Sequence, residues 1–410
     1  MSIITLFSGS FCREEQVVER VLSATGYTPL GDEEIVEAAC RLSGFPRGRI
    51  ERAFSAKTSV FNAFTHEKER SIAFLRLALA GKLSTEGLLI RGFAGLLVPR
   101  EVSHALRVCL IADLKFREEV ASREQGLRPK EALKTIRRQD EDRAAWVETL
   151  WRTKDPWDQS LFDIVIPLDK KSPDEAAALI AANLAKDVVQ PTARSCQAAL
   201  DFRLAARVEV ALAGAGHDVG VQAHDGQVTL VINKHVLMLR RLEEELKAIA
   251  SKVEGVTSVS TKVGKEFYRA DIYRRHSFEL PSKVLLVDDE REFVQTLSER
   301  LLMRDMGSAV AYDGESALKM VEEEEPEVII LDLKMPGIDG IEVLRRVRAT
   351  NPDVEVIILT GHGSEADKKT CLELGAFAYL QKPVDIDVLS EQLRLANEAI
   401  RRKKEARGES

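Results

Sequence analysis

Residues 283–400 alternate short apolar runs with helical patterns, and this alternation restricts the fold more than any other feature of the chain. The apolar runs at 283–287, 328–331, 354–359 and 377–381 have the length of β-strands. Strands that alternate with helices form right-handed βαβ units and a parallel sheet. Continuous apolar strands indicate a sheet covered by helices on both faces. We therefore predict an α/β domain over 283–400.

A polar residue follows each of these strands. In an open α/β sheet the carboxyl ends of the strands line one crevice, so five side chains should converge: Asp288, Asp289, Asp332, Thr360 and Lys382. Three carboxylates repel one another unless a cation is present, and oxygen ligands with open water positions suit Mg²⁺. A carboxylate beside Mg²⁺ can attack phosphorus and become an aspartyl phosphate, which a lysine and a hydroxyl stabilise.

This region resembles the receiver domain of two-component response regulators, which has a (βα)5 flavodoxin-like fold. The matching motifs are Asp288-Asp289, the stretch 332–340, Thr360 with Gly361 next, and Lys382-Pro383. The resemblance implies that Asp332 accepts a phosphoryl group from a sensor histidine kinase or a phosphotransfer protein.

The resemblance also implies roles for the neighbouring residues. Mg²⁺ would be held by Asp288, Asp289, Asp332 and the backbone carbonyl of Lys334. Thr360 and Tyr379 would form the switch pair, Lys382 would contact the phosphate, and the Lys382-Pro383 peptide would be cis.

The sequence pattern of residues 203–265 predicts a small α+β domain. The pattern indicates a helix at 205–212, a hairpin that turns at Asp225-Gly226, a helix at 237–253 and a strand at 258–263. The motifs at 226–230 and 255–259 resemble those of a BON domain, which implies binding of a protein or of a membrane-associated partner. A generic α/β linker domain is the alternative.

The N-terminal region begins with a strand, a glycine-containing turn and a helix, the layout of a phosphate-binding loop. The turn reads GSFCRE at 9–14, and the GxxxxGK[ST] pattern is absent. Residues 1–185 resemble the cytidylate-kinase-like family of P-loop nucleoside monophosphate kinases. The resemblance implies that ATP and CMP are bound by Gly9, Ser10, Arg13, Asp32, Arg91, Arg138, Asp140 and Arg143.

The turn departs from that family at two positions, because Phe11 and Cys12 replace glycines. Glycine lets the backbone approach phosphate closely and adopt a positive φ, so a phenylalanine is expected to crowd the site. Three alternatives stay open: an active kinase, a nucleotide-binding sensor and a degenerate scaffold.

The charge balance favours signalling over nucleic-acid binding. The chain has 59 Lys and Arg against 66 Asp and Glu, a net charge of −7, which argues against a protein that coats nucleic acid. No DNA-binding domain is evident, and the scattered cysteines fit a cytoplasmic protein. We expect a response regulator whose phosphorylation at Asp332 switches contacts of the other domains or of a partner. The alternatives are a receiver-gated nucleoside (cytidine) monophosphate kinase and a passive phosphate sink.

Overall fold

The computed structural model describes residues 2–406 except 58–61, 63–65, 234–238, 265–280, 282, 303, 305 and 362. The chain divides into two compact units. The first contains 1–58, 68–214 and 219–272, and the second contains 59–67, 215–218 and 273–410. Residues 267–282, whose proline and mixed charge predict a connector between domains, lie, apart from Pro281, outside the described residues.

The first unit is built on a parallel sheet of five strands in the order β2-β3-β1-β4-β5. Its central strand β1 is buried at every position, as expected for a strand covered on both faces. The strands are β1 (Ile3–Ser8), β2 (Thr28–Leu30), β3 (Leu88–Arg91), β4 (Ala105–Ile111) and β5 (Ile164–Pro167).

Seven helices are described around this sheet. They are α1 (Glu14–Thr25), α2 (Asp32–Ser43), α3 (Arg47–Glu51), α4 (Glu67–Ala80), α5 (Leu114–Gln125), α6 (Pro129–Trp151) and α7 (Pro173–Leu184). Local sequence sets their ends: α7 begins at a proline after Ser172, whose hydroxyl caps the helix by accepting from the Glu175 N–H. Apolar side chains of α1 and α7 pack together against one face of the sheet.

The rest of the first unit is a helix followed by a hairpin, a second helix and a last strand. These are α8 (Ala193–Gly214), β6 (Gly220–His224), β7 (Gln227–Ile232), α9 (Leu239–Ala250) and β8 (Ser258–Val263). β7 pairs antiparallel with β6 and parallel with β8. The predicted turn is confirmed, since Asp225 and Gly226 have φ of 47° and 80°.

Helix α8 begins well before the predicted helix at 205–212. Residues 186–195, whose proline and mixed charge predict a connector, end inside this helix, because Ala193 is already helical. The reason is tertiary: Ala198, Ala199 and Phe202 pack against the core of the five-stranded sheet. Burial of that helical face extends the helix into a segment whose proline and charges resemble a linker.

The second unit contains another parallel five-stranded sheet, in the order β10-β9-β11-β12-β13. This is the strand order of flavodoxin-like folds. The elements are β9 (Val284–Val287), α10 (Arg291–Leu302), β10 (Ser308–Ala311), α11 (Gly314–Glu323), β11 (Val328–Leu331), α12 (Gly340–Thr350), β12 (Glu355–Thr360), α13 (Glu365–Glu373), β13 (Ala378–Gln381) and α14 (Ile386–Ala406).

The predicted strands and helices of this unit are confirmed, and one strand was not predicted individually. β10 has the sequence Ser-Ala-Val-Ala, which is too weakly apolar to stand out. Its Ser308 hydroxyl is buried and lies 2.9 Å from the hydroxyl of Ser298.

Candidate functional site

Strand pairing in the second unit brings three carboxylates together. β9 and β11 pair with Val287 opposite Leu331, so the next residues, Asp288 and Asp332, lie side by side at the carboxyl edge. One carboxylate oxygen from each of Asp288, Asp289 and Asp332 lies within 4.8 Å of the others. Asp288 and Asp332 are buried, whereas Asp289 is exposed. The predicted convergence of these three residues is therefore present in the structure.

Lys382 follows β13 and supplies the positive charge of the cluster. Its Nζ lies 2.6 Å from Asp288 Oδ2 and 3.3 Å from Asp332 Oδ2. It also lies 3.3 Å from Glu290 Oε1 and 4.3 Å from the centre of the Phe293 ring. The ammonium is thus held between three carboxylates and an aromatic face, a geometry that also favours a cation electrostatically.

At both Asp288 and Lys382, burial shifts the pKa in one direction and the oppositely charged partner shifts it in the other. Burial raises the pKa of Asp288, although the hydrogen bond from Lys382 opposes the change. Burial would lower the pKa of Lys382, but the hydrogen bond to Asp288 and the charges of Asp288 and Asp332 outweigh it and raise that pKa. Lys382 therefore remains a cation beside the acidic cluster.

The Asp332 carboxylate is oriented by the chain that follows it. Its Oδ1 accepts from the N–H of Leu333 at 2.7 Å and, at 3.5 Å, from that of Lys334. Gly340 closes the loop, since an ideal Cβ there would overlap the Asp332 carbonyl oxygen. Oδ2 faces Lys382, which leaves this carboxylate positioned between a cation and two further acids.

The two predicted switch residues meet at a third residue. Thr360 ends β12 and is fully buried, and Tyr379 on β13 is half-buried. An ideal Cβ on Gly363 would lie 3.1 Å from Thr360 Cγ2 and 3.0 Å from Tyr379 Cζ. The Tyr379 hydroxyl is buried without a hydrogen-bond partner among the described residues, and burial raises its pKa.

The donor set of the acidic cluster fits a hard divalent cation. It consists of carboxylate oxygens, of which one is exposed, and contains neither sulfur nor imidazole. The residues that sequence reasoning missed are Glu290, Phe293 and Gly363. Phe293 lies in the first turn of α10, just after the acid pair, and contacts the site through Lys382.

In the first unit, two arginines on the neighbouring helices α5 and α6 donate hydrogen bonds to the backbone of the turn after β1. Arg143 Nε donates to the Ser8 carbonyl at 2.6 Å, and Arg117 Nε donates to the Ser10 carbonyl at 2.7 Å. Arg117 also forms a bidentate pair with Asp140, at 2.7 and 2.8 Å. Arg143 thus reaches the predicted loop directly. Asp140 reaches it through Arg117, an arginine that the sequence places in the same cluster of arginines around Asp140.

The backbone of that turn is left-handed at two residues. Phe11 has φ 59° and Arg13 has φ 56°, values that favour glycine. Cys12 is buried, and burial raises the pKa of its thiol to about 12. The glycine-like conformation therefore persists at Phe11, while Cys12 fills space beneath the loop. The Arg13 guanidinium lies 4.9 Å from the centre of the Phe116 ring.

Asp32 is the first residue of α2 and binds the end of β3. Its carboxylate accepts from the N–H groups of Phe93 and Ala94, both at 2.8 Å. Burial raises its pKa to about 6, against the opposing effects of these bonds and of Arg143 and Arg91. Gly92 has φ 101°, and an ideal Cβ there would overlap the carboxylate.

The predicted nucleotide residues fall into two groups. Gly9 and Ser10 are buried in the loop, and Ser10 Oγ has no hydrogen-bond partner within the described part of the chain. Arg91 is exposed at the end of β3 near Asp32, and Arg138 is exposed on α6. The structure thus brings the loop, Asp140 and Arg143 together, with Arg138 on another face of its helix.

Two families match this chain, each over one of these regions. Residues 284–394 match the response regulator receiver domain, and residues 3–170 match the cytidylate kinase-like family. Response regulator MprA of Mycolicibacterium vanbaalenii is 33% identical over 115 residues, which are 28% of this chain and 50% of that protein. MprA of Mycobacterium avium is 34% identical over 112 residues, or 27% and 49%. The chain spans about half the length of these curated relatives.

A solved structure, the Francisella response regulator 1452 receiver domain, is 33% identical and has a TM-score of 0.28. It covers 29% of this chain and 98% of its own. The matched ranges coincide with the two parallel sheets described above. Residues 284–394 therefore form a response regulator receiver domain, and residues 3–170 belong to the cytidylate kinase-like family, whose P-loop kinase fold the first sheet fits.

Proposed function

We propose that this protein is a response regulator that is phosphorylated on Asp332 by a sensor histidine kinase or a phosphotransfer protein. The proposal rests on the position of Asp332, which is buried beside Asp288 and Asp289. Its Oδ2 lies 3.3 Å from Lys382 Nζ. Homology to response regulators supports the same function. The output is a change in contacts of the other domains or of a partner.

Each residue of the cluster has a task in the transfer. An Asp332 oxygen attacks the phosphorus of a phosphohistidine, the P–N bond breaks, and the acyl phosphate forms as the imidazole leaves. Lys382 pairs with the phosphoryl oxygens in place of its present carboxylates. Mg²⁺ would be held by Asp288, Asp289, Asp332 and the Lys334 carbonyl, and would supply neutralisation of the phosphoryl charge. Thr360 and Tyr379 then respond to the new charge.

The test is phosphorylation of the full chain by acetyl phosphate with Mg²⁺, read by intact mass. The expected result is one adduct of about 80 Da, the mass of a phosphoryl group. Asp332→Asn should abolish it. Asp353→Asn is the matched control, because Asp353 precedes β12 at the opposite edge of the sheet and its loss should leave labelling unchanged. An adduct that persists in Asp332→Asn would show that another residue accepts the phosphoryl group.

A second candidate function is nucleotide binding by the first unit, at residues 1–185. It is favoured by the buried Ser10 hydroxyl, which has no hydrogen-bond partner among the described residues and lies in a loop between a strand and a helix N-terminus. The proposed contacts are Gly9, Ser10, Arg13, Asp32, Arg91, Arg138, Asp140 and Arg143, with ATP and CMP as the nucleotides. In this arrangement the receiver would gate a cytidine monophosphate kinase.

The structure sharpens the test of that candidate. Phe11 already has a glycine-like φ, so Phe11→Gly removes bulk without changing the backbone. Binding of ATP and of CMP to the full chain should be measured calorimetrically for wild type and for this variant. A gain in affinity would support a surviving nucleotide site. No binding by either protein would leave a scaffold with a kinase fold.

We also propose that residues 203–265 form a BON-like interaction module in a cytoplasmic protein. The helix, hairpin, helix and strand of this segment support the module. Among the described residues, no helix is long and apolar enough to cross a bilayer. Capture of a protein or of lipid vesicles by the full chain, lost when the exposed face of β8 is altered, would test this role.

A further inference from the structure

A cavity of about 330 Å³ lies inside the first unit, where α8 and β6 meet the five-stranded sheet and its helices. Small-molecule sites generally have volumes of roughly 300–1,000 Å³ and combine apolar walls with a few polar groups. This cavity is lined by Leu97, Leu150 and Trp151 on one side and by Phe202, Ala205 and Val221 on the other. It is separate from the loop after β1 and from the acidic cluster.

The charged groups of the lining are not equally available. Arg76 is neutralised by Glu209, with 2.6 Å between Nη1 and Oε1. Arg100, in contrast, forms no ion pair with any described residue. Its guanidinium donates to the Ser160 carbonyl and lies 5.6 Å from the centre of the Trp151 ring. Arg100 is therefore an exposed cation beside an aromatic wall, and Glu101 is the exposed acid next to it.

Trp151 contributes an aromatic wall. Its indole Nε1 is buried away from the cavity, so an occupant meets the ring and not this donor. Phe202 supplies a second ring to the lining, whose charged residues are the Arg76–Glu209 pair, Arg100 and Glu101. The Arg100 cation beside these rings selects an anion with an apolar body.

We propose that this cavity binds a small carboxylate that carries an aromatic or other compact apolar group. The apolar group packs between Trp151 and Phe202, and the carboxylate pairs with Arg100. Because Phe202, Ala205 and Val221 belong to the helix and hairpin while Leu97, Leu150 and Trp151 belong to the sheet layer, the occupant contacts both parts. Binding therefore raises the thermal stability of the first unit by mass action.

The test uses three probes of one shape and different charge: 2-naphthoate, 2-naphthylmethanol and 2-naphthylmethylammonium. Their binding to the full chain is measured by calorimetry, with melting followed by tryptophan fluorescence. The expected result is saturable 1:1 binding of the carboxylate and roughly tenfold weaker binding of the other two, since a charge-assisted hydrogen bond is lost. Equal or tighter binding of the alcohol or the ammonium probe would overturn the assignment.

Two variants localise the site. Ala205→Phe fills the cavity, and Arg100→Gln removes the cation from an exposed position where folding is not at risk. Each should weaken 2-naphthoate roughly tenfold. Their matched controls on α8, Leu200→Phe and Arg203→Gln, lie outside this cavity and should bind as wild type does. Absence of saturable binding in wild type, or unchanged binding in Arg100→Gln, would overturn the proposal even if Ala205→Phe failed to fold.

Discussion

The hydroxyl oxygen of Tyr379 occupies the space that a Cβ atom on residue 363 would need. Glycine at position 363 is therefore what allows the tyrosine ring to lie inward, against Thr360. Thr360 and Tyr379 are the two residues proposed to respond to phosphorylation. The residue at position 363 therefore decides whether the Tyr379 side chain can take its inward position.

The first prediction is that Gly363→Ala expels the Tyr379 side chain from its buried position, because the methyl group and the hydroxyl cannot coexist. The measurement is ¹⁹F NMR of the chain labelled with 3-fluorotyrosine, with the Tyr379 signal identified by its loss in Tyr379→Phe. The signal should move to a solvent-exposed shift. Gly361→Ala is the control, since a Cβ there would meet only Lys382, at an ordinary 3.9 Å. A buried signal in Gly363→Ala would contradict the prediction.

The second prediction concerns a buried ion cluster at the opposite edge of the second sheet. Glu355 is buried and accepts from Arg348 at 2.9 Å and from Lys403 at 2.6 Å. Arg348 also donates to the carbonyls of Val354 and Gly375. Arg348→Met should destabilise the second unit by about 3 kcal/mol, because a buried carboxylate loses one of its two cationic partners and two carbonyls lose a donor.

The measurement is hydrogen exchange of β12 peptides, followed by mass spectrometry, across a urea series. Lys403→Met provides the comparison. Lys403 is 43% exposed, so its contact with Glu355 is screened by solvent and its loss should cost at most about 1 kcal/mol. An equal loss of stability in the two variants would show that burial of the Arg348 guanidinium does not increase its contribution to stability.

The third prediction is a pH dependence of the first unit that comes from Asp32. Its pKa is about 6 in the folded chain against an ordinary value of 3.8. A carboxyl whose pKa is raised by folding stabilises fully below the unfolded pKa, and this contribution is lost as pH rises through the folded pKa. The free energy of unfolding should therefore fall by on the order of 2 kcal/mol from about pH 4 to about pH 7.

Urea unfolding followed by tryptophan fluorescence measures this unit alone, because Trp146, Trp151 and Trp157 all belong to it. Asp32→Asn should flatten the decline in that pH window. Asp187→Asn, which removes an exposed charge from the same unit, should keep it. A decline of equal size in Asp32→Asn would assign the dependence to other groups.

The fourth prediction concerns the arginine that holds the turn after β1. Arg117→Met should destabilise the first unit by about 2–3 kcal/mol, because Asp140 and the Ser10 carbonyl lose charge-assisted hydrogen bonds in a buried setting. Exchange of backbone amides at 8–14 should also quicken. Arg123→Met, on the exposed part of the same helix, should change neither quantity. An unaltered exchange rate in Arg117→Met would show that the turn is held by other contacts.

The receiver site was predictable because its chemistry is tied to strand ends. Asp288, Asp332 and Lys382 follow buried strands directly, and parallel pairing brings such positions to one edge whatever the details of packing. β10 was not predicted individually because its sequence, Ser-Ala-Val-Ala, is weakly apolar, and its buried Ser308 depends on a tertiary contact with the Ser298 hydroxyl that periodicity does not show.

The site residues of the first unit were harder to predict, because the face of the helix on which an arginine lies decides what its side chain can contact. Asp140 and Arg143 are three residues apart on α6 and share a face, whereas Arg138 lies on another. Their spacing along the helix could have distinguished Arg138 from Asp140 and Arg143. The sequence predicts that Arg117 belongs to the arginine cluster around Asp140, but not that it contacts the loop. That contact depends on the packing of α5 beside α6, which the sequence does not show.

Helix α8 has a consequence for how this protein can be rearranged in evolution. Its first turns are anchored in the core of the five-stranded sheet, while its remainder contacts β6. A recombination point between residues 195 and 203 would cut a continuous helix and leave apolar surface on both fragments. The three-stranded sheet and the kinase-like fold are therefore physically joined by one helix, and a gene fusion that took only one of them would expose apolar surface.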